Sequence, residues 1–219
     1  MQINLEYFYN TIQEGQDLAH HRTIWWAFGS KIITFFGRIG NPKTAKKSHT
    51  SIIVNIVRYP NKIEFQLLEA TKKRGIHISS KRYIHKIGTQ YCLGGFHKDE
   101  KLYWSSDVNL DNDGLKKLEV FQKAVVGKKY AKLSYLKRTY IQRFNNLFTK
   151  FIRWLFKIEI EDIDLRIKEL KQIQCFYCSE LSARKDYEIG VISKDIFQDN
   201  PYPDPMSFFK GKKKVLRIK

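Results

Sequence analysis

Cysteine is scarce in this chain: Cys92, Cys175 and Cys178 are the only three among 219 residues. They are too few and too unevenly spaced for a disulfide framework. No apolar stretch with a small-residue cleavage site opens the sequence, so no secretory leader is expected. Long hydrophobic runs are missing as well. The most apolar stretch, 23–39, is interrupted by Lys31 and Arg38 and is too short to span a bilayer. Internal repeats and low-complexity linkers are absent, which favours one domain over an array. Together these absences lead to the expectation of an intracellular, cytoplasmic protein.

Negative charge is in short supply too. Against 40 Lys and Arg stand only 22 Asp and Glu, a net charge of +18 at pH 7. So large an excess implies a positive surface and anionic partners: nucleic acid, an anionic membrane surface or an acidic polymer. No helix-turn-helix, zinc-finger or RNA-recognition signature accompanies the charge. A basic nucleic-acid-binding protein without catalysis stays open as the alternative reading, since aromatic residues interleaved with Lys and Arg suit phosphate contacts and base stacking. What the chain does have is apolar material, 42% of its residues, enough to fill a core.

The β signal is concentrated in one region. Residues 50–59 are rich in Ile and Val, 62–70 alternate Ile63, Phe65 and Leu67 with polar neighbours, and Pro60-Asn61 lies between, which predicts a β-hairpin. Short strands are expected at 74–78, at 102–104, in the Val-Leu-Ile of the basic tail 210–219, and weakly at 17–22. Residues 1–16 read as a polar-aromatic lead and 79–101 as irregular. Asn109, Asp111 and Asp113 before Gly114 have the spacing of a calcium loop, but its twelfth position is Val120 where a bidentate Glu belongs. The run is therefore read as the N-cap of a helix from Gly114 to Val126, stopped at Gly127.

Two further helices are basic and aromatic. Ile24, Trp25, Phe28, Ile32, Phe35, Phe36 and Ile39 recur at helical spacing, as do Leu147, Phe148, Phe151, Trp154 and Leu155 within 144–157. Such faces pack on a core or rest on a lipid surface.

The chemistry-bearing stretch is Cys175 to Lys185. Cys178 is followed at once by helix-forming residues that end at Gly190, which puts a thiol in a first turn, where unpaired backbone N–H groups favour a thiolate. Three other readings compete. A zinc half-site lacks a second ligand pair at usable spacing, and a thioredoxin-like redox pair belongs early, after a strand of a βαβ unit. A simple buried thiol needs no polar company at all. No metal or other cofactor is expected. If Cys178 is a nucleophile it needs a base, and of the six histidines His49 stands out, at the entrance of the first hairpin strand. Glu69, near the end of the second strand, is the carboxylate an antiparallel pairing can bring close to it. His20, His21, His77, His85 and His97 are taken as surface or satisfied core residues.

Ser48-His49-Thr50-Ser51-Ile52, Leu68-Glu69-Ala70 before Gly75-Ile76, Gly127-Lys-Lys-Tyr130, Cys178-Ser179-Glu180-Leu181 and Asn200-Pro201 occur in that order. In this the chain resembles the circularly permuted papain-like branch of the NlpC/p60 superfamily, which includes YiiX-like hydrolases and relatives of lecithin retinol acyltransferase. The resemblance covers most of the chain. It implies an α+β, permuted papain-like fold, a small antiparallel sheet packed with helices, over a single domain 1–219. The basic-aromatic stretch 131–174 looks like an insertion, and Gly15-Gln16-Asp17 stands where the family often has a Gly-Asp pair. By the same resemblance Cys178 is the nucleophile, His49 the general base and Glu69 the residue that orients the imidazole. Tyr177 and Ser179 border the oxyanion site. The implied activity is hydrolysis or acyl transfer on an amide or ester, with a lipid or peptide substrate. Segments 23–39 and 144–157 favour one presented at an anionic membrane surface.

Overall fold

The computed structural model describes residues 5–22, 49–98, 100–130, 175–176, 178–191 and 215–218. The expected basic-aromatic helices in 23–39 and 144–157, the stretch 131–174 and the proline-rich segment 201–205 lie outside the described residues. Among those described, no helix is long and apolar enough to cross a membrane.

Eight strands form the main sheet, and every pairing in it is antiparallel. In chain order they are β1 (Asp17–Arg22), β2 (His49–Tyr59), β3 (Lys62–Thr71), β4 (Gly75–Ile78), β5 (Arg82–Ile87), β6 (Gln90–Gly94), β7 (Glu100–Ser105) and a last strand near the C-terminus. Two more short strands, β8 (Lys129–Tyr130) and β9 (Cys175–Phe176), pair in parallel, so the last strand is β10 (Val215–Arg217). The sheet runs β10-β7-β1-β2-β3-β5-β6, with β4 also on β3. Three helices complete the described structure: α1 (Leu5–Thr11), α2 (Asn112–Val125) and α3 (Cys178–Glu188). The architecture is α+β.

The hairpin β2–β3 is the centre, and its alternation sorts side chains to two faces. On one face Ile53, Ile63, Phe65 and Leu67 join Leu18, Leu102 and Trp104, covered by Phe8 and Ile12 from α1 and its exit. This cluster is aromatic: the Phe8 ring lies 5.0 Å from Trp104 and 6.2 Å from Phe65, both edge-on. On the other face Ile52, Val54, Leu68, Ala70 and Ile76 pack against Leu118, Phe121 and Val125 of α2 and Leu181 of α3. Helix α2 begins as its composition predicts, with the Asp111 carboxylate accepting from Gly114 N at 2.8 Å.

Two expectations fail. Residues 79–101 are not irregular but carry the β5–β6 hairpin, in which Ile84 alone is fully buried and the alternation that marks a strand is therefore faint. The lead 1–16 contains α1, only seven residues long and thus too short to show a helical period. The expected strands at 17–22, 74–78, 102–104 and in the tail are present as β1, β4, β7 and β10.

Candidate active site

Helix α3 is brought to the sheet from its N-terminal side. Ile76 N donates to Lys128 O at 2.8 Å and Gly127 N to Ile76 O at 2.9 Å, which fixes β8 beside β4. Gly75 makes that approach possible: its φ is +67° and a Cβ there would sit 2.4 Å from Lys128 O. β9 then pairs with β8, Lys129 opposite Cys175 and Tyr130 opposite Phe176. Two residues after β9 begins to end, Cys178 opens α3.

The inward stripe of α3 and its exit carries Cys178, Leu181, Ser182, Lys185 and Ile189, all buried and spaced at three, four, seven and eleven residues from the thiol. Lys185 is wholly buried, an uncommon place for an ammonium. Its Nζ donates to Gly15 O at 2.6 Å and to Asp17 Oδ2 at 3.0 Å, and it pairs with Asp186 as well. The helix is thereby tied to the start of β1 two turns below Cys178.

Cys178 is 3% exposed. Burial pushes its thiol up, but the charge and hydrogen bond of His49, with further bonds from the backbone and hydroxyl of Thr50, outweigh that, and the net shift is downward from an ordinary thiol. His49 and Thr50 are the first two residues of β2. Thr50 belongs by alternation to the α3 face with Ile52, whereas His49, at the strand's very start, touches Cys178 and also lies against His20. Helix and strand thus bring together the two residues on which the nucleophile–base reading depends.

Glu69 is not joined to them. The register sets Glu69 opposite Ser51 rather than His49, and on its other side opposite His77. Its carboxylate lies 3.8 Å from His77 Nε2, and no hydrogen bond or ion pair among the described residues links it to His49. In this pairing frame the β3 position across from His49 lies two residues beyond Glu69. Ser179 lies in the first turn of α3, and Tyr177 lies outside the described residues.

In the space beside His49 stands a residue that the sequence did not single out. His20 of β1 is the register partner of His49, and their rings are 5.6 Å apart at 55°. His20 is buried, with Nδ1 2.8 Å from Glu100 Oε1 and Nε2 2.6 Å from Ser51 Oγ. The available signal was alternation, since Leu18 and His20 face the same way in a six-residue strand and Leu18 had to be inside. Lys185 carried a similar signal, seven residues from Cys178 and hence on its stripe.

Among the described residues no group of three or more His, Cys, Asp or Glu side chains is placed to hold a metal ion. Cys92 is exposed on β6. No protein-family model matches the chain, and no curated protein matches it.

Proposed function

We propose that this chain is a cysteine hydrolase or acyltransferase of the permuted papain-like kind, acting on an amide or ester through a thioester on Cys178. One observation carries the reading: a buried thiol in the first turn of a helix, hydrogen-bonded to the imidazole at the start of a neighbouring strand, with its pKa lowered despite burial. The order His49 before Cys178, and a helix bearing the thiol laid against an antiparallel sheet, support the same reading.

In the proposed reaction His49 takes the thiol proton, leaving a thiolate beside an imidazolium. The thiolate sulfur attacks the acyl carbon, a C–S bond forms, and the carbonyl electron pair moves onto oxygen. Backbone N–H groups of the first turn of α3 receive that oxyanion. As the carbonyl re-forms, the C–N or C–O bond to the leaving group breaks and the imidazolium gives the leaving group its proton. Water, or an alcohol or amine acceptor, then loses a proton to His49 and attacks the thioester, which releases the acyl product and returns the proton to sulfur. The net charge of +18 and the aromatic segments 23–39 and 144–157 support an acyl substrate presented at an anionic membrane surface.

An activated ester tests this directly. Brief exposure followed by peptide mass mapping is expected to place one acyl group on Cys178, absent from Cys178→Ala and much reduced in His49→Ala. Acylation scattered over lysines and Cys92, with Cys178 unmodified, contradicts it.

A further inference from the structure

An imidazole that serves as a base needs a fixed orientation, and in thiol and serine sites a third side chain usually provides it. Here the expected carboxylate, Glu69, is paired in register with Ser51 and lies near His77. Among the described residues the ring that lies against His49 is that of His20. We propose that His20 is the positioning residue for His49, a second imidazole locked by Glu100 and Ser51 and braced by the aromatic core, so that orientation comes from β1 rather than from β3. The inference rests on the thiol–imidazole reading above and deepens it.

Three features make His20 suited to this. Both of its ring nitrogens are engaged, at 2.8 Å by Glu100 of β7 and at 2.6 Å by Ser51 of β2, so the ring cannot turn about either axis without breaking a buried bond. Ser51 is itself held, its hydroxyl 3.2 Å from Leu18 O. Behind the ring an unbroken line of aromatic contacts leads into the core: His20 to Phe96 at 6.0 Å, Phe96 to Phe65 at 6.2 Å, Phe65 to Phe8 at 6.2 Å and Phe8 to Trp104 at 5.0 Å. Strands β1, β2 and β7 thus place one rigid ring, and that ring closes one side of the space open to His49. His49 is the first residue of β2, and among the described residues the His20 ring lies against it, so a wall of this kind decides how much of the time its imidazole meets Cys178.

Among the described residues, the buried or partly buried titratable groups on the elements that carry the pair and its neighbours include His20 from β1, Glu100 from β7, Glu69 and His77 from β3 and β4, and Glu180, Lys185 and Asp186 from α3. Changing only the His20 group therefore has a defined readout: the pH midpoint for alkylation of Cys178 by iodoacetamide, followed by mass spectrometry with Cys92 as the internal ordinary thiol. Loss of orientation leaves the thiol without a steady imidazolium, so its midpoint rises. In His20→Gln the midpoint is expected to move toward that of Cys92, with acylation at neutral pH slowed by up to about 100-fold, the scale of a misplaced catalytic group. Ser51→Ala removes only the Nε2 partner and is expected to give a smaller shift in the same direction; it carries the test if His20→Gln does not fold. A purely structural role would lower the melting temperature of both variants and leave the midpoint of the folded protein where it was. That result, with His49→Ala raising the midpoint, overturns the role of His20 and keeps the thiol–imidazole pair. A shift in Glu69→Gln as large as that in His49→Ala, with His20→Gln at the parent value, also overturns it. If His49→Ala moves nothing, the underlying reading fails and this one with it.

Discussion

On one face of the sheet Phe8, Phe65, Trp104 and Ile53 pack as an aromatic and aliphatic cluster, while the opposite face buries Lys185, Asp17 and Asp186 beneath the helix that carries Cys178. The first arrangement is economical. Apolar burial gives about 25 cal/mol per Å² without demanding a particular geometry. The second is costly, because each buried ion gives up its hydration and recovers it only through close, well-directed partners. A lysine bonded at once to Gly15 O, Asp17 and Asp186 leaves α3 one position along its axis and one rotation about it. Hydrophobic contacts tolerate a sliding helix. This cluster does not, and Cys178 lies seven residues away on the same stripe, about 10 Å along the axis. The apolar scaffold and the helix that carries Cys178 thus rest on different physics, one non-directional and one directional.

The largest effect should come from Lys185→Met, which leaves two buried carboxylates without their shared ammonium. A loss of about 3–5 kcal/mol in urea unfolding is expected, together with slower alkylation of Cys178 in whatever fraction remains folded. A loss below about 1 kcal/mol would mean that the cluster is close to neutral and that the contrast between the faces is overstated. Phe8→Ala should cost a similar or slightly smaller amount, about 3–5 kcal/mol, through a cavity among Phe65 and Trp104. Here, below the melting temperature, Cys178 should lose less reactivity than in Lys185→Met, since Phe8 lies on the far face from α3 and reaches His20 only through Phe65 and Phe96. A loss as large as in Lys185→Met would show that the two faces are tightly coupled. The smallest effect lies at the sheet's far end. There Glu64 accepts from Lys62 at 2.6 Å and Lys81 at 2.7 Å, and these bonds hold its carboxyl below the usual carboxylate range. A depressed carboxylate stabilises the fold above its unfolded pKa and loses that contribution as pH falls through its lowered folded value. Glu64→Gln should therefore lower stability slightly at neutral pH and leave it unchanged at low pH, so that the acid limb of a stability–pH curve flattens a little.

Much of the apolar framework was legible, because the Ile and Val richness of β2, the period-two alternation in β3 and the Asp111 cap of α2 are local signals. So was the thiol at the head of α3, which follows from helix formers after Cys178 and Gly190 beyond them. The β5–β6 hairpin was not, since strands with a single fully buried side chain do not alternate visibly. At the site, type was readable and pairing was not. Glu69 has the right chemistry on the right strand, yet the register fixed by the Pro60-Asn61 turn and the bulge between Val54 and Val57 sets it opposite Ser51. His20 and Glu100 are 80 residues apart in sequence, and nothing local to either announces the other. The spacing of Lys185 from Cys178 put it on the same stripe but could not name its partners, which belong to β1, 168 residues earlier, and to Asp186 beside it. Long-range polar pairing is a property of topology, which composition and periodicity only constrain.

At the centre of the proposal is the contact between Cys178 and His49, which lowers the thiol's pKa despite its burial. Ultraviolet titration of thiolate absorbance in the parent, in His49→Ala and in Cys178→Ser tests it most directly. The account predicts one thiolate in the parent that persists below the ordinary thiol range of about 8.5, vanishes in Cys178→Ser and shifts upward in His49→Ala. Coincident titrations in the parent and His49→Ala, both near the ordinary range, would contradict it.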